Sequence, residues 1–443
     1  MVHTDATTPH RGHGSSIEAA SWSRCAAGSV RGSARGENAR MTHIHSDAGP
    51  RPAARRQVRT LLAVLVAPFA AATVIGLIAL WPADRSVDVP EAIGPAPERA
   101  EAVVVRVMRA PCPGTEESPA DDPAAELCTS ATARIRTGPH RGETVDLPPF
   151  GHGYGSGVEP GDGVVLAYVG GEDAGAGWYF QDFTRRRPLL VLAAVFAGAV
   201  LLLGRRRGFF SLAGLALSLV LLVRFVLPAI LEGRDPVAVA VVGAAAIMFV
   251  TLYLAHGFNV RTSSAVVGTV ASLLLVGILS NLFVGATHLT GLASEESGFL
   301  GALAGDVDLH GLLLGGIVIG SLGVLDDVTV TQASAVWELS LANATYGFRR
   351  LYGAALRIGR DHIASTVNTL VLAYAGASLP LLVLFTLANR PLGDVLTGEV
   401  VAQEIVRTLV GSIGLVASVP VTTALTAFVA TRHRDPGGRA DAA

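Results

Sequence analysis

Lysine is absent from this chain of 443 residues, so all 34 of its basic side chains are arginines. Charge of either sign is scarce. Only 16% of residues are charged, against about 25% in soluble domains, while 50% are hydrophobic and the mean hydropathy is +0.48. That balance excludes an ordinary soluble enzyme. Catalytic signatures are missing as well: there is no GxxxxGK phosphate cradle, no HExxH, no GxSxG nucleophile turn and no CxxC pair. The chain is therefore expected to be no enzyme and to carry no cofactor. The arginine excess accompanies abundant alanine and glycine, the mark of a GC-rich coding sequence, and gives no reason to expect a nucleic acid partner.

What is present is a set of long apolar runs. About 20 apolar residues cross the roughly 30 Å hydrocarbon core as a helix. Eight runs approach or exceed that length: Leu61 to Leu80, Pro188 to Leu203, Phe209 to Leu231, Pro236 to Ala255, Ser263 to Leu292, Leu309 to Val336, Ala364 to Ala388 and Val401 to Ala430. Continuous runs, unlike period-two alternation, exclude a transmembrane β-barrel. The expected fold is an all-α transmembrane bundle of about eight helices with a small extracytoplasmic β-rich domain, a barrel of OB-like or SH3-like type, inserted after the first helix. Residues 1–59 read as a disordered basic tail, 60–81 as a signal anchor, 83–184 as the β-rich domain, 188–430 as a seven-helix membrane domain and 431–443 as a second tail.

Arginine placement sets the expected orientation. With the N-terminus inside, twenty arginines fall on the cytoplasmic side, and the short outer loops keep only Arg234 and Arg390. Both termini are then cytoplasmic and the location is the bacterial plasma membrane, with the lipid bilayer as first partner. Segment 83–184 is acidic and holds short alternating stretches such as Glu101 to Arg109 and Val164 to Val169, which read as strands. Its two cysteines, Cys112 and Cys128, are a candidate disulfide in an oxidising compartment; two unpaired thiols are the alternative. Arg185, Arg186 and Arg187 read either as headgroup contacts or as partners of the acidic segment. Arg224, near the outer end of its run, is expected to snorkel.

The least ordinary stretch is GSLGVLDDVTVTQASAVWEL, which sets adjacent carboxylates Asp326 and Asp327 after fourteen apolar or small residues. Fourteen residues descend about 21 Å, and a carboxylate at that depth costs a few kcal/mol unless protein or water solvates it. Gly316, Gly320, Gly323, Asp327, Thr331, Ser334 and Glu338 share one helical face, expected to turn toward the bundle interior or a water-filled vestibule. The candidate ion or proton site is Asp326, Asp327, Thr331, Gln332, Asn368 and His256, a donor set suited to a hard cation or a shared proton rather than a thiolate-seeking metal. A helix that ends early, leaving the two acids as cap and loop, is the structural alternative.

The stretches WYFQDFTRRRPLL, entering the second helix, and GVLDDVTVTQ, in the sixth, together resemble the YibE/YibF-like family of bacterial integral membrane proteins, over approximately residues 100 to 430. The resemblance implies the fold and the location, and it supplies no substrate. On these grounds the leading expectation is a transporter or ion-coupled permease. The alternative is a non-catalytic envelope assembly or sensing protein that binds an extracytoplasmic partner through its β domain.

Overall fold

The computed structural model describes residues 56–83, 97–111, 127–150, 157–170, 177–303, 307–388 and 391–433. Cys112 and nearly all of the predicted N-terminal tail lie outside them. The fold is mostly helical with one small sheet.

Helix α1 (Arg56–Leu80) is followed by five strands: β1 (Glu98–Pro111), β2 (Leu127–Ile135), β3 (Thr144–Phe150), β4 (Gly163–Val169) and β5 (Gly177–Phe183). They pair antiparallel in the order β3-β2-β1-β4-β5, and the edge strands β3 and β5 meet, so the sheet curls into a partly open barrel. The long β1 makes this possible: its first half pairs with β4 and its second with β2, with a register shift between Val104 and Arg106. Such a bulge bends and twists a strand. Alternation places Ala100, Ala102 and Val104 of β1, Ala133 and Ile135 of β2 and Val164 and Leu166 of β4 in one core, closed by Trp178. Cys128, opposite Ala110 on β1, is disulfide-bonded.

Only Thr184 and Arg185 separate β5 from α2 (Arg186–Leu221). The Thr184 amide donates to the Gly163 carbonyl at 2.7 Å, and the Arg185 guanidinium donates to Asp182 at 2.6 Å. That contact, with the Phe183 amide, holds the Asp182 carboxyl below the usual carboxylate range. The contribution exists above the ordinary carboxylate pKa and is lost only as pH falls through the depressed value, so the clasp persists at neutral pH. Arg185 thus partners the acidic segment, whereas Arg186 and Arg187 are exposed.

Two apolar runs lie in one hydrogen-bonded stretch, α2 continuing through a π turn (Leu222–Val226) into α3 (Leu227–Leu231). Its 46 residues would reach about 69 Å if straight. The stretch is not straight. Arg205 has φ 51 and ψ −127, and a Cβ on Gly208 would meet the carbonyl of Val200; in a continuous helix those residues stand about 12 Å apart. The chain therefore doubles back at Arg205. Arg224 sits in the π turn with its side chain exposed.

The remaining elements are α4 (Pro236–His256), α5 (Val260–Ala286), α6 (Glu295–Leu303), α7 (Leu309–Ala342), α8 (Phe348–Ala377), α9 (Leu379–Leu387), α10 (Leu392–Thr397) and α11 (Glu399–His433). Among the described residues six helices are long and apolar enough to cross a membrane, or seven if α8 and α9, bent by 58°, form one span. The run predicted from Ala364 to Ala388 is thus corrected: the helix starts at Phe348 and breaks before Leu379.

Helices α5, α7 and α11 form the centre of the bundle, with α4 and α8 on its flanks. Small residues set the spacing, since apolar burial does not drive helices together in lipid and close backbone contact must. A Cβ on Gly268 would collide with Thr422, one on Gly414 with Val276 and one on Gly359 with Val419. At one end of the bundle Thr290 donates to Glu399 through both its amide and its hydroxyl, at 2.6 and 2.7 Å, and Arg234 donates to the Ala79 carbonyl at 3.0 Å. At the other, Val58, Leu62 and Val429 pack with Val260 and Trp337.

Candidate functional site

Helix α7 carries both acids. Asp308 caps it, accepting from the Gly311 amide at 3.0 Å, and its 34 residues run unbroken through Asp326 and Asp327. The alternative of a helix ending before the acids is thereby removed. At about 1.5 Å per residue α7 is about 51 Å long, so its last turns extend past the thickness of a hydrocarbon core.

The two carboxylates point to different surroundings, as their roughly 100° separation requires. Asp326 turns toward α4, where its Oδ2 lies 2.9 Å from Thr251 Oγ1, while its Oδ1 is buried with no hydrogen-bond partner among the described residues. Asp327 is exposed, and its charge acts on His256 together with those of Arg261 and Arg207. His256 at the end of α4, Arg261 at the start of α5 and Arg207 past the α2 reversal thus lie at the same end of the bundle as Asp327.

Of the other predicted site residues, Gln332 is buried, 3% exposed, and donates to the Ala355 carbonyl at 2.9 Å and to Thr423 Oγ1 at 2.7 Å. It ties α7 to α8 and α11. Thr331 and Asn368 are exposed, and among the described residues no hydrogen bond joins either to Asp326 or Asp327. The site residues are therefore divided between three settings rather than gathered around one ligand.

The predicted glycine and acid face does not turn into the bundle interior. Gly316, Gly320, Gly323, Asp327, Thr331 and Glu338 are exposed, with Tyr374 of α8 approaching the face at Gly320. The buried side of α7 is the opposite one, with Ile317, Leu325, Thr329 and Ala333. α7 is apolar or small on both sides, so burial follows its neighbours rather than its own pattern.

Hydroxyls on the helices around α7 mostly bond within their own helices: Ser264 to the Val260 carbonyl, Thr366 to His362, Thr369 to Ser365 and Thr423 to Val419. Thr269 and Thr329 also pair across α5 and α7 at 2.7 Å, in addition to contacts with the Ala265 and Asp326 carbonyls of their own helices. Thr422 and Thr426 keep buried hydroxyls without partners among the described residues. No group of three His, Cys, Asp or Glu side chains that could hold a metal ion occurs among the described residues.

Two features escaped the sequence reading. One is Thr251, an ordinary-looking threonine in an apolar run. The other is Arg407, which donates to Glu404 at 2.7 Å inside α11 and borders a small pocket with Ser321, Tyr374 and Thr408. Opposite charges three residues apart in an apolar run were its available signal.

No curated protein and no solved structure matches the chain. A family model described as YibE/F-like protein matches residues 192–432, more than half of the sequence. The matched region begins after the β strands and the WYFQDFTRRRPLL entry, and so is narrower than the resemblance suggested; it contains α4, α5, α7, α8 and α11 with both acids. The chain belongs to the YibE/F-like family.

Proposed function

We propose that this protein is an ion-coupled permease of the bacterial plasma membrane, with Asp326 and Asp327 as its cation or proton site. The observation that carries the reading is the Asp326 carboxyl, buried on one oxygen within an apolar helix and contacted by a single hydroxyl of α4. A group so costly to bury is a functional candidate by default. The exposed Asp327, beside His256, gives the site its approach from the cytoplasmic side.

In this reading the doubling back at Arg205 makes two crossings of one stretch, and α8 with α9 makes one more, giving eight spans. Both termini are cytoplasmic, as the arginine bias favours. The barrel then lies outside, and its strand order, with β3 meeting β5, supports an OB-like type. No enzymatic activity and no cofactor enter the reading.

The test compares the parent with the Asp326→Asn/Asp327→Asn double variant, purified and melted across a panel of ions and pH values. Stabilisation of the parent by one ion or by pH, lost in a folded double variant, is the expected result. Identical responses would sink the reading.

A second reading is a non-catalytic assembly or sensing protein whose barrel binds an envelope partner. The exposed apolar side chains Val105 and Met108 on β1 favour it, at 47% and 53% exposure. Deleting residues 101–183 then abolishes function while the double variant is silent.

A further inference from the structure

The contact between Asp326 and Thr251 contains a proton count. Thr251 Oγ1 lies 2.9 Å from the Ile247 carbonyl, 3.2 Å from the Met248 carbonyl and 2.9 Å from Asp326 Oδ2. All three neighbours are acceptors if Asp326 is ionised, and a threonine hydroxyl has one proton to give. An ionised Asp326 would compete with the backbone for it and leave Oδ1 a buried, unpartnered anionic oxygen. A protonated Asp326 resolves the count: the acid donates to Thr251 Oγ1, and Thr251 donates to the Ile247 carbonyl in the usual threonine manner within helices. A cation of the Ca²⁺ type, stripped of water, is poorly served in place of the proton, because it takes about six to eight oxygen ligands. Among the described residues one hydroxyl reaches the carboxyl.

We infer that Asp326 is a proton-binding site whose occupancy sets the hydrogen bonding between α7 and α4. With the proton bound, Asp326 donates to Thr251. On release the O–H bond of the acid breaks, the proton passes to water on the Asp327 side, and a carboxylate remains. The Thr251 hydroxyl then turns from the Ile247 carbonyl to that carboxylate. The inference rests on the reading of Asp326 as the ion-binding carboxyl and narrows its ligand to the proton.

Other charges favour the proton-bound form or stand apart. Asp327, the neighbour on the same helix, sets a second carboxylate beside Asp326 in the chain, and like charges oppose each other. From α4 the titratable groups near this end are Tyr253 and His256, and Tyr253 is engaged with Ser263. Arg207 of α2 and Arg261 of α5 act on His256. On the side away from α7, α2 meets Thr251 through Gly214, which brings no charge. Glu404 and Arg407 of α11 are paired with each other, and Arg349, Arg350, Arg357, Arg360 and Asp361 of α8 lie in its first half, with α8 packed on another side of α7 through Gln332.

The test is infrared spectroscopy of the full-length protein in lipid nanodiscs at neutral pH. The parent is expected to show a protonated-carboxyl stretch that shifts on deuterium exchange and is absent in Asp326→Asn. Thr251→Val, which removes the acceptor but not the acid, is expected to shift that band without abolishing it. A parent spectrum lacking an Asp326 carboxylic acid band overturns the inference, as does a band unmoved by Thr251→Val. The ion panel separates the two failures. Metal-cation stabilisation with no acid band overturns the proton assignment and leaves an ion site; an acid band in a parent whose ion and pH responses match the double variant's supports the proton site and removes the permease reading.

Discussion

Gly268→Leu is expected to disassemble the bundle. Gly268 of α5 faces Thr422 of α11 with no room for a Cβ, and Gly414 of α11 faces Val276 of α5 in the same way. A leucine must push the two helices apart, and overpacking costs about 1–3 kcal/mol or more. The cost is compounded here, because Thr423, next to Thr422 on α11, accepts the Gln332 bond from α7. Such a change is a large share of a typical stability of about 5–15 kcal/mol. Gly277, on the same helix, meets nothing within 4 Å of a built Cβ, so Gly277→Leu is the matched control. Size-exclusion profiles in detergent after a temperature ramp should show early aggregation for the first variant and parental behaviour for the second. Equal behaviour would mean that α5 and α11 are not in this contact.

Trp178→Ala is expected to unfold the barrel and spare the helices. Trp178 is 7% exposed and closes the core formed by Ala133, Ile135, Val164 and Leu166. Its ring also meets Tyr168 at 5.3 Å and His140 at 5.7 Å between centroids. Truncating a buried tryptophan costs about 3–5 kcal/mol, which a five-stranded barrel cannot readily absorb. Limited proteolysis should cut the variant within the strands while a protected helical fragment persists. A digestion pattern like the parent's would show that the barrel does not depend on this side chain.

Much of the helical fold was legible because lipid imposes one simple pattern, a run of apolar residues. The pattern fails where a helix leaves that environment. Residues 348–363 carry Arg349, Arg350, Arg357, Arg360 and Asp361 and so read as a loop, yet Leu351, Ala355 and Gly359 recur at four-residue spacing and are the buried face of α8. That periodicity was the available signal. The chain reversal at Arg205 was legible as a gap between two runs, marked by Gly204 and three arginines. Its local geometry was not, since a positive φ at arginine has no sequence signature.

The candidate site was legible in part for a similar reason. A carboxylate within an apolar run announces itself, whereas its partner, Thr251, belongs to the commonest kind of polar residue in such helices. Direction was hidden too. With small residues on both sides of α7, only the positions of α4, α5, α8 and α11 decide that Gly316, Gly320 and Asp327 are exposed and that Thr329 and Gln332 are not.

The short passage from β5 to α2 has a mechanical meaning. Two residues extend by at most about 7 Å, and here both are held, Thr184 by Gly163 and Arg185 by Asp182. Such a joint has no slack. A tug or twist applied to the barrel is therefore delivered to the first turn of α2 instead of being taken up by a tether, and α2 becomes a lever whose far arm ends at the turn of Arg205.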